Sequence, residues 1–376
     1  METLLGRMST TYRIIRRVWG RPIFPLFVAW YFFSVRTLAT ITLAMDRLLF
    51  PRLRTVQVKR PIILVGNPRT GTTFLQRWLS DNKIGAGMEL WRMIFPSLTL
   101  QKVLGPFLPI LEAISPAKYH SSAAHETNLS SVETDDVGSL FRNFDGFFLY
   151  GFFAAFDEEE HKDQFDPRHR NTNARDFAWF EELWKRSVIS HAQERIIAKV
   201  FSLGPRIPAF LEKFPDASIL YMARDPVEVI PSAMSLVTGV LDSAFGYHKL
   251  PEDVKRRWTS RLYTGLVDLM RFFHDDYVSG RIDRKRVYIV RYDRMMKEFD
   301  VVMAEMLAFL GHPPDAALQD EIDKRAEKQR KYKSEHKYDL AKYYLTEEQI
   351  RRDCAFFYDT FLPPLEPVAA AEPVQA

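Results

Sequence analysis

The residues best suited to chemistry form a short loop that runs from Gly66 to Thr73. Its order is Gly-Asn-Pro-Arg-Thr-Gly-Thr-Thr, a G-x4-G pattern followed by hydroxyl residues. The glycines let the backbone wrap around an anion, so that N–H groups and the N-terminus of a following helix point at it. Thr72 stands where a Walker lysine would be, and the positive charge lies inside the loop at Arg69. The loop therefore predicts a phosphate site and disfavours an ATP kinase or ATPase.

A second candidate anion site begins at Arg224 and includes Ser232, eight residues further on. Arg224 follows the apolar run 218–222, which predicts a buried strand. Ligands of open α/β sheets bind at the carboxyl ends of strands, and a guanidinium group offers two parallel donors to a phosphate. Taken alone, Arg224 is better explained by a surface ion pair with Asp225 or Glu228. The presence of the phosphate loop earlier in the same chain favours an anion site.

The elements that must position these residues alternate between strands and helices. Residues 62–65, 218–222 and 287–291 predict buried strands, and residues 72–80 and 177–195 have the apolar spacing of helices. The fold class predicted is α/β, a P-loop-like three-layer α/β/α arrangement around a central, mainly parallel sheet. Residues 139–156 are rich in Phe, and their period does not decide between strand and helix.

The N-terminal part predicts a separate apolar helical segment that associates with a membrane. Residues 25–44 contain one charged residue, Arg36, and arginines lie on both sides of the run. The length is near the ~20 residues that span a bilayer, but a charge at its centre would be costly. An interfacial helix and a true span are equally compatible with the run, and a buried core helix is the alternative.

Composition sets outer bounds on the function. The chain has 376 residues, 47% of them hydrophobic, a net charge of +4 and one cysteine, Cys354. These values exclude a largely disordered chain, an internal disulfide and a cysteine-based zinc site, and they fall short of a dedicated nucleic-acid binder. We expect a segment over residues 1–57, a domain over 58–362 and a disordered tail over 363–376. Without disulfides, the cytoplasmic side of a membrane is the preferred location.

The two motifs together resemble those of the sulfotransferases that use 3′-phosphoadenosine 5′-phosphosulfate, and in particular their bacterial-type branch. The family loop reads P-[KR]-[ST]-G-[TS]-T, and residues 68–73 match it throughout. Family members also carry an Arg at a strand end and a Ser eight residues later. The resemblance implies roles for the following residues: Arg69, Thr70, Gly71, Thr72 and Thr73 on the 5′-phosphosulfate, Phe74 against adenine, and Arg224 and Ser232 on the 3′-phosphate.

Weaker matches concern two further segments. Lys199 closes the apolar run 196–200, and related enzymes have a strand-end Lys near the transferring sulfuryl group. A solvent-facing strand end is an equal alternative for it. The basic segment 331–338 resembles one that closes over the nucleotide, with Lys333, Ser334 and His336 as candidates. A solvated run of charges is the commoner explanation of such a segment.

Sulfuryl transfer to a hydroxyl or amine needs positive charge for the leaving phosphate and a base for the acceptor proton. We expect Arg69 and Lys199 to supply charge. The polar segment 121–136 lies between the two motifs, and from it we choose His125 as the base, with Glu126 and Glu133 next. Neither ligand spacing nor the reaction calls for a metal, so we predict none.

These observations together predict a membrane-associated sulfotransferase with a hydroxyl or amine acceptor. Phe-rich segments favour a lipid or other lipophilic acceptor, and no nucleic-acid partner is expected. The sequence leaves two alternatives open: a P-loop kinase, and a membrane-attached scaffold that binds nucleotide without turnover. The oligomeric state is not indicated by the sequence.

Overall fold

A computed structural model describes residues 3–115, 128–330 and 339–364 of the chain. Five short strands are surrounded by helices. The strands are β1 Ile62–Val65, β2 Ala86–Gly87, β3 Ile196–Lys199, β4 Ser218–Ala223 and β5 Val287–Arg291. The helices are α1 Leu4–Trp19, α2 Phe24–Leu49, α3 Thr72–Asp81, α4 Leu90–Ile94, α5 Leu98–Leu104, α6 Leu108–Ile114, α7 Asp136–Asn143, α8 Phe147–Phe152, α9 Asn173–His191, α10 Ile207–Lys213, α11 Pro226–Phe245, α12 Glu252–Val278, α13 Tyr292–Lys297, α14 Phe299–Phe309, α15 Ala316–Arg330, α16 Glu347–Asp353 and α17 Ala355–Phe361.

The strands form one parallel sheet in the order β2-β3-β1-β4-β5. Strand β1 lies between its neighbours with Ile62 opposite both Ile197 and Ser218. The chain leaves β1 towards one edge of the sheet and leaves β4 towards the other. The carboxyl ends of β1 and β4 therefore meet at a topological switch point, where ligands of open α/β sheets bind.

Successive side chains of β1 point alternately to the two faces of the sheet, and this alternation shows the three layers. Ile62 and Leu64 pack into the apolar cluster that contains α3 and α14, whereas Ile63 and Val65 pack into the larger cluster on the opposite face. All four side chains are at most 1% exposed. A strand buried on both faces reads as a continuous apolar run, as this one does. The predicted fold class and its central parallel sheet are confirmed.

The N-terminal helices pack on the α/β layers. Ile14 and Ile15 of α1 are buried, and Ile14 belongs to the larger core cluster. Arg7 donates hydrogen bonds to the main-chain oxygens of Asn143 and Phe144. A boundary at residue 57 stays a prediction, and these contacts show how closely the two parts are joined.

The Phe-rich stretch over residues 139–156 resolves into two short helices, α7 and α8. Phe144 and Gly146 between them adopt positive φ angles of 49° and 103°, which breaks the chain direction. The aromatic side chains of this stretch pack against neighbouring helices as well as in the core. Their spacing in the sequence therefore shows no single period. Strand β2 has only two residues and leaves no pattern to detect. Most of the predicted tail, residues 365–376, lies outside the described residues.

Candidate functional site

The loop after β1 is shaped by two glycines. Gly66 has φ 144°, and a Cβ there would lie 2.9 Å from the main-chain oxygen of Met222 on β4. Gly71 has φ 93°, and its Cβ would lie 3.0 Å from the ring of Tyr292. Arg69 has φ 76°, a conformation that non-glycine residues adopt at a cost. The predicted phosphate loop is thus one of the places in the described chain where a non-glycine residue has a positive φ angle.

The loop leads into α3 with backbone donors available for an anion. Gly71 is the N-cap residue of α3, and this N-terminus has no side-chain cap within the described part of the chain. The first N–H groups of a helix have no partner inside it and carry partial positive charge. Thr70 is buried and turned inward, where its hydroxyl donates to the main-chain oxygen of Asn67. Thr72 is also buried.

The two predicted anion motifs meet at the loop. Arg69 Nε donates to Ser232 Oγ at 3.0 Å, and Arg224 Nη1 donates to the main-chain oxygen of Arg69 at 3.0 Å. The guanidinium of Arg224 also lies 4.1 Å from the ring centroid of Tyr292. Arg224 pairs with Glu228 at 2.7 Å as well, the ion pair that the sequence offered as the alternative. Arg224 therefore makes the ion pair and contacts the phosphate loop at once, and its role on a phosphate stays a prediction.

Lys199 is brought against the same loop from the end of β3. Its Nζ donates to Thr73 Oγ1 at 2.9 Å, and the residue is 1% exposed. Burial lowers the pKa of this ammonium group, while the nearby Glu133 opposes that shift. A buried lysine of this kind gains from a second negative charge beside it. The position of Lys199 is not that of a solvent-facing strand end.

Glu133 completes a row of charged groups beside the loop. One carboxylate oxygen accepts from Arg77 Nη2 at 3.0 Å, and the other lies 3.7 Å from Lys199 Nζ. Glu133 is 6% exposed. The carboxylate is therefore held in place by cations from α3 and β3, close to Thr73.

Two buried aspartates hold the end of β3. Asp135 accepts from the main-chain N–H of Lys199 and from Trp184 Nε1, each at 3.0 Å. Burial, with Asp136 beside it, raises the pKa of Asp135 to about 7. Asp136 accepts from the main-chain N–H groups that follow Lys199, at Phe201 and Ser202. These carboxylates fix the backbone from which Lys199 projects.

Phe74 is half-buried on α3 and faces the C-terminal helices. Its ring contacts Phe299 at a centroid distance of 6.0 Å, and the guanidinium of Arg325 lies 5.1 Å from its centroid. The structure thus gives Phe74 packing partners and leaves its role towards adenine a prediction. His125 and Glu126, and the closing-segment candidates Lys333, Ser334 and His336, lie outside the described residues.

Sequence reasoning missed two residues of this site, Tyr292 and Arg77. Tyr292 directly follows β5, so the rule that ligands bind at strand ends would have drawn attention to it. Arg77 lies one turn after Thr73 on α3 and carried no local signal. Its importance arises from Glu133, which is distant in sequence.

A model of the sulfotransferase family matches residues 61–316. Proteins of Mycobacterium bovis and Mycobacterium tuberculosis named omega-hydroxy-beta-dihydromenaquinone-9 sulfotransferase Stf3 are 23% identical over 271 residues. That match covers 68% of this chain, and the chain spans 64% of the length of these relatives.

Two solved structures share the fold. Sulfotransferase STF1 of Mycobacterium tuberculosis is 16% identical, with a TM-score of 0.69 over 94% of this chain and 91% of that one. Sulfotransferase STF9 of Mycobacterium avium is 20% identical, with a TM-score of 0.60 over 89% of this chain and 86% of that one. At these identities the likeness concerns the fold.

Proposed function

Since this chain belongs to the sulfotransferase family, we propose that it transfers a sulfuryl group from 3′-phosphoadenosine 5′-phosphosulfate to a hydroxyl group of a lipophilic acceptor. One observation carries the proposal. Arg69, Arg224 and Lys199 come from the ends of three neighbouring parallel strands and converge on one loop. Two guanidinium groups and an ammonium group at a helix N-terminus suit a ligand with separate anionic groups.

The residues present fit such a nucleotide. The glycine loop and the N-terminus of α3 would hold the 5′ end, where backbone N–H groups are available. Arg224 and Ser232, linked to each other through Arg69, would hold the 3′-phosphate. When bound, the nucleotide supplies an activated sulfuryl group. Lys199 and Arg69 would stabilise the charge that develops on the phosphate side of the bond that breaks.

The acceptor hydroxyl must lose its proton as the new S–O bond forms, so a base is required. His125 remains our first choice, followed by Glu126 and Glu133. The position of Glu133, held between Arg77 and Lys199, supports a place near the reacting groups. No residue in this proposal needs a metal.

A lipophilic acceptor is supported by chemistry and by relatives. The Stf3 proteins are named for an omega-hydroxy dihydromenaquinone, which is a lipid alcohol. In this chain, apolar side chains remain exposed along α2 and on the neighbouring α5–α6 segment, where Phe107 and Ile110 are 53% and 62% exposed. An enzyme with a lipid acceptor needs access to a lipid phase.

We propose further that α2 lies on the cytoplasmic surface of a membrane. By length and mean hydropathy, α2 and α11 are the two helices of the described residues that could span a bilayer, and α2 is the more exposed. Asp46 near the end of α2 is fully buried and pairs with Arg186 at 2.9 Å. This contact fixes α2 against the domain, while exposed arginines at both ends suit anionic headgroups.

The nucleotide site is tested by calorimetry with 3′,5′-adenosine bisphosphate, ADP and 5′-AMP on wild type and on Arg224→Ala. We expect the bisphosphate to bind most tightly and Arg224→Ala to weaken it by about 1.5–3 kcal/mol, the value of a charged hydrogen bond. Glu228→Gln, which removes the ion-pair partner and keeps the arginine, is the matched control and should retain binding. Equal binding of ADP would contradict the proposal.

Turnover separates the enzyme from the two alternatives. A sulfotransferase should sulfate a long-chain alcohol from the activated nucleotide, and EDTA should leave the rate unchanged. Magnesium-dependent hydrolysis of ATP would instead favour a kinase. Tight bisphosphate binding with no acceptor sulfated in any assay would favour the scaffold.

A further inference from the structure

An apolar cavity lies between the N-terminal helices and the Phe-rich helix α8. It is open on one side, and its empty space of about 590 Å³ includes part of the surrounding solvent. Apart from Thr11 and Tyr12, every described residue that lines it is apolar, with walls from α1, α2 and the α7–α8 segment. An apolar void loses packing contacts, which a hydrocarbon ligand would restore.

The cavity is covered by the helix that also carries the exposed apolar surface. Val28, Ala29 and Phe32 of α2 line the cavity. Trp30 and Phe33 lie on the outward side of the same helix and are 63% and 56% exposed. The helix is therefore apolar on both sides, with a cavity behind it and solvent or lipid in front.

The inner wall of the cavity reaches towards Lys199 through two aromatic rings. Phe148 lines the cavity and contacts Phe201 at a centroid distance of 6.2 Å. Lys199 Nζ lies 5.8 Å from the centroid of the Phe201 ring, and it bonds to Thr73 of the phosphate loop. The rings of Phe148 and Phe201 therefore stand between the apolar cavity and Lys199 beside the predicted sulfuryl site.

We propose that this cavity holds the hydrocarbon chain of a long-chain lipid alcohol, with its hydroxyl group beyond Phe148 and Phe201, next to Lys199. The inference rests on the proposed function and names the class of acceptor. The absence of charged groups among the described lining residues disfavours sugars, peptides and other polar acceptors. The position behind α2 gives the chain a route from a lipid surface.

The test uses cis-parinaryl alcohol, a fluorescent 18-carbon polyene alcohol, without vesicles. Wild type should bind it, and Ala29→Trp should raise its Kd at least tenfold because the indole occupies the cavity. Leu26→Trp, which adds the same ring to the 57% exposed side of α2, should bind as wild type does. Calorimetry with 3′,5′-adenosine bisphosphate is run on each variant. If Ala29→Trp binds both the bisphosphate and the alcohol as wild type does, this inference alone is overturned. If wild type does not bind the bisphosphate, the proposed function is overturned.

A second pair of variants changes the cavity in opposite directions at one position. Val28→Ala should extend the longest n-alcohol that is sulfated efficiently, and Val28→Phe should shorten it. Opposite shifts cannot come from a general loss of folding. Identical chain-length profiles in both variants and wild type would contradict the proposed site.

Discussion

At the scale of single residues, the site consists of charged groups that the fold withdraws from water and holds with fixed partners. Lys199 is buried between Thr73 and Glu133, and Arg224 is held by the loop, by Glu228 and by the face of Tyr292. Burial of a cation is unfavourable unless negative charge is near. The anionic nucleotide that we propose would add to the negative charge of Glu133 and Glu228, so ligand binding and the electrostatic stability of the site are coupled.

The choice of base is tested by His125→Ala, Glu126→Gln and Glu133→Gln. We expect His125→Ala to lower kcat by about 10²- to 10⁴-fold, the usual contribution of a general base, with bisphosphate binding unchanged. Glu133→Gln keeps the size of the side chain and an oxygen that can accept from Arg77, and it removes only the carboxylate. If His125→Ala retains full activity and Glu133→Gln loses it, the assignment moves to Glu133.

Asp135 predicts a dependence of stability on pH. Its pKa rises from near 3.8 to about 7 on folding, so the folded state binds the proton more tightly than the unfolded state. Stability from this group is therefore fully present below about pH 4 and is lost as the pH rises towards about 7.

Chemical denaturation at several pH values measures this effect. Asp135→Asn cannot titrate, and the fall in the free energy of unfolding between about pH 4 and pH 7 should be smaller in this variant than in wild type. The variant should be less stable than wild type at low pH, because its amide NH₂ must face one of two N–H donors, that of Lys199 or that of Trp184. Parallel profiles for the two proteins would refute the role assigned to Asp135.

At the scale of elements, α2 combines a firm anchor with an unusually apolar exterior. Asp46 accepts hydrogen bonds from Ser97 Oγ and from the main-chain N–H groups of Leu98 and Thr99, which also caps the start of α5. Its carboxylate is paired with Arg186. The same element therefore orders the α5–α6 segment and presents that segment and its own outer side together as one apolar surface.

Membrane association is tested by replacing Phe27, Trp30 and Phe33 with Ser. A large apolar side chain contributes about 1.5–3 kcal/mol when fully buried, so we expect at least a tenfold loss of binding to vesicles. Vesicles of phosphatidylcholine with phosphatidylglycerol provide the measurement. Val278→Ser with Val301→Ser, which removes exposed apolar side chains from α12 and α14, is the control and should bind normally. Equal binding of both variants would argue against α2 as the docking element.

At the scale of the whole molecule, the parallel sheet brings distant segments of the chain together at the carboxyl ends of its strands. The proposed nucleotide site draws on the loop after β1, the end of β3 and the start of α11, which belong to separate parts of the chain. A ligand that bridges these segments stabilises the folded state as a unit. Binding should therefore be visible in global unfolding.

Thermal unfolding measures that coupling. At 100 times its Kd, 3′,5′-adenosine bisphosphate should add about 2.7 kcal/mol to the free energy of unfolding and raise Tm. ADP at the same concentration should raise Tm less, because it lacks the 3′-phosphate. Arg224→Ala should lose most of the increase with the bisphosphate, and an undiminished increase would place that phosphate elsewhere.

The sequence alone determined those parts of the structure that depend on residues close together in the chain. The loop with Gly66 and Gly71, the buried strands β1, β4 and β5, and the helix after the loop are encoded by neighbouring residues, because φ preferences and apolar runs act over short distances. The family resemblance rested on these same short motifs and is confirmed. The roles of all the site residues remain predictions from sequence, and His125, Glu126, Lys333, Ser334 and His336 also lie outside the described residues.

Only the tertiary structure decided which strand ends meet and what lies behind α2. The pairing of β4 with β1 lets Arg224 reach the main-chain oxygen of Arg69, and the pairing of β3 with β1 places Lys199 on Thr73. The apolar cavity likewise needs α1, α2 and α8 together. These features depend on contacts between residues far apart in the chain, and such contacts form only when burial of the whole core brings them together.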